Sequence, residues 1–175
     1  ILVQMYAYCG FPKSLNALNT FMAVVEERKA AGKDDEVGTE STPVLSDMNM
    51  AERGEAIRTQ LVGHPVTGKV YEFCPVIDRY LRAHLFGDIF SRSNLDYKSR
   101  ELATVAALAT MGMDAQLRSH LSICRNLGFT EIQLRDFASA MASGIGYTEG
   151  ETVSNVLDKM YKTEQQMNSQ STMEV

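Results

Sequence analysis

Apolar residues recur at intervals of three or four positions along most of the chain, a spacing that predicts α-helices. The first clear stripe begins after Pro12, which has the place of a proline in the first turn of a helix, and ends at Gly32. Its members are Leu15, Leu18, Met22 and Val25. Strand-like alternation of apolar and polar residues is hard to find, so the pattern predicts an all-α protein.

The stretch between Gly32 and about Asn49 departs from this pattern. It is rich in charged residues, glycine, serine and threonine and contains Pro43, a composition typical of a surface connector. After it, the spacing predicts a short helix over residues 50–62 and a longer one over residues 74–90. The apolar face of the longer helix consists of Ile77, Tyr80, Leu81 and Leu85.

The second half of the chain contains an alanine-rich segment. Residues 101–111 are apolar on almost every side, which is typical of a helix buried among neighbours. Asp96 lies in the turn before them, where it can cap the helix that follows. Gly112 is expected to break this helix. The next helix is predicted over residues 115–126, with Asp114 as its cap.

Two capping-box patterns predict where the last helices begin. Thr130 pairs with Gln133 and Thr148 with Glu151 at the spacing that lets each side chain reach the other residue's backbone. The last helix is expected to end near Lys162, and the polar tail that follows is expected to fray.

A faint internal repeat divides the chain. Residues 5–28 and 139–162 share a plan of helix, glycine break and amphipathic helix. The organisation predicted from it has tail helices of a truncated first repeat at 1–31 and a connector with a short helix at 32–74. A complete repeat follows at 75–162, and a polar tail at 163–175.

Composition and charge are those of an ordinary globular protein. Of the 175 residues 45% are hydrophobic and 22% charged, and the net charge of -5 argues against nucleic-acid and anionic-membrane partners, which favour a basic face. No apolar run is long enough to span a bilayer. The chain begins with Ile1 instead of Met, so we expect its natural start, and any targeting segment there, to be missing.

The cysteines and histidines lack the spacing of a metal or disulfide framework. Cys9, Cys74 and Cys124 are widely separated and form no CxxC pair, which favours a reducing compartment, the cytoplasm. The histidines lie far apart as well, so neither a metal nor another cofactor is predicted.

Glu101 and His120 are the candidate catalytic residues. They lie on consecutive predicted helices joined by a tight turn at Gly112, and their heights differ by only about one helical turn at ~1.5 Å rise per residue. A Glu–His pair in an apolar groove exchanges protons near neutral pH. The alternative is a buried ion pair that only holds the two helices together.

Other side chains near this pair also allow two interpretations. Cys124 lies one helical turn beyond His120. It is either a thiol activated by the histidine or a small apolar side chain that fills the core. His84 would line the same pocket or bond a helix carbonyl. Arg92 and Arg100 would hold a substrate carboxylate or form ion pairs within the fold.

Several segments, in their order and spacing, resemble the carboxymuconolactone decarboxylase superfamily. The core signature corresponds to residues 86–92, 95–96, 100–102, 116–120 and 126–130. The segment 8–12, Tyr-Cys-Gly-Phe-Pro, followed by residues 15–17, resembles the tail signature of a preceding copy. In the second copy this signature degrades to residues 144–147, where the proline is lost.

This resemblance implies a helical bundle like the alkylhydroperoxidase D-like fold and a small-molecule substrate. Aligned without gaps, the glutamate and histidine of the alkylhydroperoxidase D-like site fall on Glu101 and His120, and its two cysteines fall on Met113 and Gln116. A dithiol cycle at those positions is chemically excluded. The decarboxylase branch needs no thiols but usually carries Glu where this chain has Gln116.

The resemblance therefore implies a lyase that removes carbon dioxide from an acidic lactone without a cofactor. The alternatives are a peroxidase or antioxidant protein, and a non-catalytic binding module that keeps the fold. The family also implies a homo-oligomer, a ring such as a trimer or hexamer. Because the first helices carry apolar faces that a monomer would struggle to bury, we expect them to pack against another subunit or in the place of the absent half-repeat.

Overall fold

The computed structural model describes residues 1–42 and 49–173, the side chains as far as Met167. Pro43 of the predicted connector lies outside the described residues. The α-helices are α1 (Tyr6–Cys9), α2 (Phe11–Ala30), α3 (Met50–Val62), α4 (Lys69–Phe73), α5 (Pro75–Tyr80), α6 (Tyr97–Thr110), α7 (Asp114–Asn126), α8 (Glu131–Gly144) and α9 (Tyr147–Met173). A π-helix, Leu81–Phe90, continues α5. The described ranges contain no strand, so the all-α prediction is confirmed.

The chain folds as two compact units that divide between Arg100 and Glu101. In the first unit, α3 packs tightly against the π-helix. A Cβ atom at Gly54 would overlap the Arg82 carbonyl oxygen and lie 2.7 Å from the Gly87 nitrogen, so the two backbones are in direct contact. Only glycine permits such an approach. The core of this unit includes Ile57, Leu61, Leu85, Phe86, Ile89 and Phe90.

A network of ion pairs around the buried Arg58 also connects helices of the first unit. Arg58, which is 4% exposed, donates to Asp78 at 2.9 Å and to Glu55 at 2.6 Å. Arg82 donates to the second oxygen of Asp78 at 2.8 Å. Because each charge has an oppositely charged partner, the network offsets part of the cost of burying Arg58, and it joins α3 to α5.

The second unit contains α6 from Glu101 onward together with α7, α8 and α9. Its buried apolar side chains include Val105, Leu117, Leu121, Leu134, Val153 and Leu157. Helices α8 and α9 approach closely at Gly150, where a Cβ atom would lie 2.6 Å from the Ala138 carbonyl oxygen. Small residues at this crossing therefore set the distance between the two helices.

Most predicted helix starts are confirmed. Asp96 accepts from the Ser99 backbone nitrogen at 2.8 Å, and Thr130 and Gln133 form the capping box expected from their spacing. The predicted start at Thr148 is wrong, because α9 already begins at Tyr147. The predicted cap at Asp114 is wrong too, since Asp114 is the first residue of α7 and no side-chain cap bond is present.

Two further predictions about helices need correction. The helix predicted over 74–90 is an α-helix only as far as Tyr80 and then becomes a π-helix. The last helix does not end near Lys162 but continues to Met173. Glu164 in this extension is paired with Arg125 of α7, at 3.0 Å between Oε2 and Nη2, which ties the polar segment to the unit. Glu174 and Val175 lie outside the described residues.

Candidate active site

Glu101 and His120 are in direct contact in the second unit. The chain reverses at Gly112, whose φ of 67° is in the left-handed region that favours glycine. This turn returns α7 along α6 and brings His120 Nδ1 to 2.7 Å from Glu101 Oε2. The proximity predicted from the matched heights on the two helices is confirmed.

The pair is buried at the carboxylate end and partly open at the imidazole end. Glu101 is fully buried, and the His120 side chain is 13% exposed. The other carboxylate oxygen, Oε1, is buried without a hydrogen-bond partner among the described residues. An unsatisfied buried carboxylate oxygen costs folding free energy, and costs of this kind are concentrated at functional sites.

The hydrogen bond determines which ring nitrogen can exchange a proton with a substrate. An ionised Glu101 accepts, so Nδ1 of His120 carries the hydrogen and donates. Proton exchange with a bound molecule would then involve Nε2, the other ring nitrogen. The Glu101 carboxylate orients the imidazole ring, an arrangement that suits acid–base chemistry.

Cys124 lies on α7 one turn beyond His120 and is fully buried. Burial, and to a smaller extent the charge of Glu101, raises the pKa of the Cys124 thiol. The thiolate is the reactive form of cysteine, so both effects make this side chain a poor nucleophile. The arrangement is that of the apolar filler rather than of an activated thiol.

Arg100 is buried in the first unit, with an exposed fraction of 3%. Its guanidinium donates to Gln4 Oε1 at 3.0 Å and to the Arg92 carbonyl oxygen at 2.8 Å, and Gln4 Nε2 donates back to the Arg100 carbonyl oxygen at 3.0 Å. Burial, and secondarily the charge of Arg92, lowers the pKa of Arg100. These contacts hold the first residues of the chain at the start of α6.

Arg92 and His84 are exposed in the first unit. Arg92 lines an open cleft with Arg53 and Ser91. His84 Nδ1 lies 3.4 Å from Asp88 Oδ2, and its ring lies 5.5 Å from that of Tyr6. The helix-carbonyl bond that was one interpretation of His84 gives way to this carboxylate contact.

Sequence reasoning missed Gln4, the buried partner of Arg100. The two residues are 96 positions apart, and a single glutamine in a short helical segment carries no pattern that indicates such a contact. It also missed Arg58, whose burial depends on the packing of α3 against α5. Neither residue could have been identified from helical periodicity alone.

The described residues contain no group of three or more His, Cys, Asp or Glu side chains arranged to hold a metal ion. None of the helices in these ranges combines the length and the apolar character needed to cross a membrane.

Comparisons with known proteins agree with the resemblance in the sequence. Residues 75–159 match the profile of the Carboxymuconolactone decarboxylase family. A curated relative, 4-carboxymuconolactone decarboxylase of Acinetobacter baylyi, is 23% identical over 122 residues. That alignment covers 67% of this chain and 91% of the relative.

Proposed function

We propose that this chain, whose residues 75–159 match the Carboxymuconolactone decarboxylase family, is a cofactor-free lyase acting on a small acidic lactone or a related carboxylate. The observation that carries the proposal is the buried Glu101–His120 hydrogen bond, a proton-transfer pair in the segment that matches the family. The curated relative is named for the decarboxylation of a carboxylated lactone, which gives the substrate class. We also propose that it acts in the cytoplasm, whose reducing conditions suit the three free cysteines.

The proposed reaction needs one proton and no electron carrier. The bond between the substrate carbon and its carboxylate breaks, carbon dioxide leaves, and the electron pair moves into the conjugated lactone system. The carbon that receives this electron density takes a proton from Nε2 of His120. Glu101 stabilises the imidazolium before the transfer and orients the ring, and solvent returns the proton afterwards.

An arginine is proposed to hold a substrate carboxylate, and the two candidates differ in accessibility. Arg100 is buried and donates to oxygens of its own unit, so it fits a positioning role. Arg92 is exposed, and its planar guanidinium is suited to a two-bonded contact with a carboxylate. Arg92 is therefore the more accessible of the two.

A peroxidase is the second candidate function, and the cysteine chemistry counts against it. In the alignment with the alkylhydroperoxidase D-like site, the two cysteines of that site fall on Met113 and Gln116. Neither of these side chains can form a disulfide. Cys124 is fully buried, with a raised thiol pKa. Peroxide turnover that is lost in Cys124→Ser but kept in Cys74→Ser would reverse this ranking.

A non-catalytic binding module is the third candidate, and Gln116 is the observation that favours it. The decarboxylases that this chain resembles usually carry Glu at this position. The side-chain amide of Gln116 cannot act as a base in place of that carboxylate. Binding of carboxylated lactones without any release of carbon dioxide would support the module. Turnover would exclude it.

Histidine substitution tests the lyase proposal with a matched control. His120→Asn removes the proposed acid, while His64→Asn changes an exposed histidine in a loop. With carboxylated lactones as substrates, we expect kcat/KM to fall by about 10²–10⁴ in His120→Asn, the range typical of a lost general acid, and to stay unchanged in His64→Asn. Equal activity of both variants would contradict the proposal.

A further inference from the structure

Helix α2 presents an apolar stripe to solvent over most of its length. Every residue from Asn19 to Ala30 is exposed, and Phe21 and Met22 remain 58% and 55% exposed. Among the described residues, the elements that pack on α2 include the short α1 at its N-terminal end. A contiguous apolar surface of this kind marks an interface.

We propose that this stripe is a self-association seam, through which the α2 helices of two copies of this chain pair side by side in antiparallel orientation. The proposal is independent of the lyase function, since it uses none of the residues placed in the acid–base pair. It is also more specific than the expectation of a ring-shaped oligomer, because it names the helix, the face and the direction of pairing.

The spacing of the stripe is that of a coiled-coil seam. Its residues alternate steps of four and three positions, which keeps them on one face of a slightly supercoiled helix pair. They are Phe11, Leu15, Leu18, Met22, Val25 and Lys29. Phe21 and Arg28 flank the seam on one side, with Asn19 and Glu26 on the other. Arg28 and Glu26 thus lie at the margin, where a two-helix seam places charges, and Lys29 is the charged member of the seam itself.

Charge at the end of the stripe selects the direction of pairing. In a parallel pair, each Lys29 would face its own twin within the seam, and like charges at that distance repel. In an antiparallel pair centred near Thr20, Lys29 faces the Phe11 ring of the other copy, Leu15 faces Val25, and Leu18 faces Met22. Every apolar layer is then matched, and the lysine stem covers an aromatic ring.

The available area is sufficient for a specific interface. Phe11, Leu15, Phe21, Met22 and Val25 are between 40% and 63% exposed. An aromatic side chain buries about 150–250 Å² when fully covered, so these residues together with Leu18 offer roughly 500 Å² per copy and about 1,000 Å² per pair. With these side chains fully covered, that value reaches the roughly 1,000 Å² that separates a biological interface from an incidental contact.

Sedimentation velocity of the full chain tests the seam. Met22→Glu places a carboxylate in the centre of the proposed interface twice, once from each copy, whereas Thr20→Glu adds the same charge on the opposite face of the helix. We expect Met22→Glu to weaken association at least about a hundredfold and Thr20→Glu to leave it within about threefold. Both residues are exposed, so unchanged helicity by circular dichroism serves as the folding control. A wild-type monomer at micromolar concentration, or association unaffected by Met22→Glu, would overturn the proposal.

The direction of pairing is tested by a distance between spin labels. Ala30→Cys, in a background of Cys9→Ser and Cys74→Ser, puts one label on each copy near the end of α2. At ~1.5 Å rise per residue, the antiparallel pair separates the two labels by about 30 Å along the axis, whereas a parallel pair places them side by side within roughly 20 Å. A distribution centred at the shorter distance would refute the antiparallel arrangement.

Discussion

Gly54→Ala should destabilise the first unit, because α3 and the π-helix touch through their backbones at this position. The added Cβ would overlap the Arg82 carbonyl oxygen and lie 2.7 Å from the Gly87 nitrogen. Neither atom belongs to a side chain that could rotate away, so one helix must shift. Overpacking of a core costs about 1–3 kcal/mol, and a clash with two backbone segments belongs at the upper end of that range. Alanine gains back about 1 kcal/mol in helix propensity, which leaves a net loss of about 2 kcal/mol.

Gly144→Ala is the matched control for this substitution. Gly144 is the last residue of α8, and no atom lies within 4 Å of the place where its Cβ would be. Alanine there should be neutral or stabilising by up to about 1 kcal/mol. Because the chain has no tryptophan, urea unfolding is followed by circular dichroism at the helix band. At a typical slope of 1–3 kcal/mol per molar urea, the Gly54→Ala midpoint should fall by about 1 M. A midpoint equal to that of the wild type would refute the backbone contact.

Two further predictions follow from burial and from helix capping. Cys74 should react with a thiol reagent in the folded protein, whereas Cys124 should react only on unfolding, even at pH 9. The reason is that burial raises the pKa of Cys124 and so suppresses its thiolate. Fast labelling of Cys124 in the folded protein would contradict this. Thr130→Ala should lower the free energy of unfolding by about 1 kcal/mol because it removes a capping box. Thr148→Ala should lower it by less than about 0.5 kcal/mol because α9 begins before Thr148. Equal losses of stability in urea unfolding would show that the start of α9 is misplaced.

Local signals allowed much of the fold to be predicted. The Thr130–Gln133 capping box and the Asp96 cap each depend on residues three positions apart, so the sequence contains the whole interaction. The Glu101–His120 contact was also predictable, since one tight turn between two helices fixes which residues lie within about one helical turn of each other in height. In these cases a short segment determines its own geometry.

Contacts between distant segments could not be predicted in this way. The Gln4–Arg100 pair joins residues 96 positions apart, and helical periodicity carries no information about which helices meet. Gly54 lies in the short helix predicted over residues 50–62, but nothing in the sequence indicated that its missing side chain allows α3 to pack against the π-helix. Within the π-helix, the Gly87 carbonyl accepts from Arg53 of α3 as well as from Ser91, and helical periodicity does not indicate either contact.

A double-mutant cycle in kcat/KM tests most directly whether Glu101 and His120 act as one proton-transfer unit. Glu101→Gln keeps an oxygen that can accept from Nδ1 but removes the charge, and His120→Asn removes the acid. With a carboxylated lactone as substrate, each single variant should lose about 10²–10⁴ in kcat/KM, and the double variant should be no slower than the worse single variant, since residues that act as a unit are non-additive. Losses that multiply in the double variant, or a Glu101→Gln variant with wild-type turnover, would contradict the proposed mechanism.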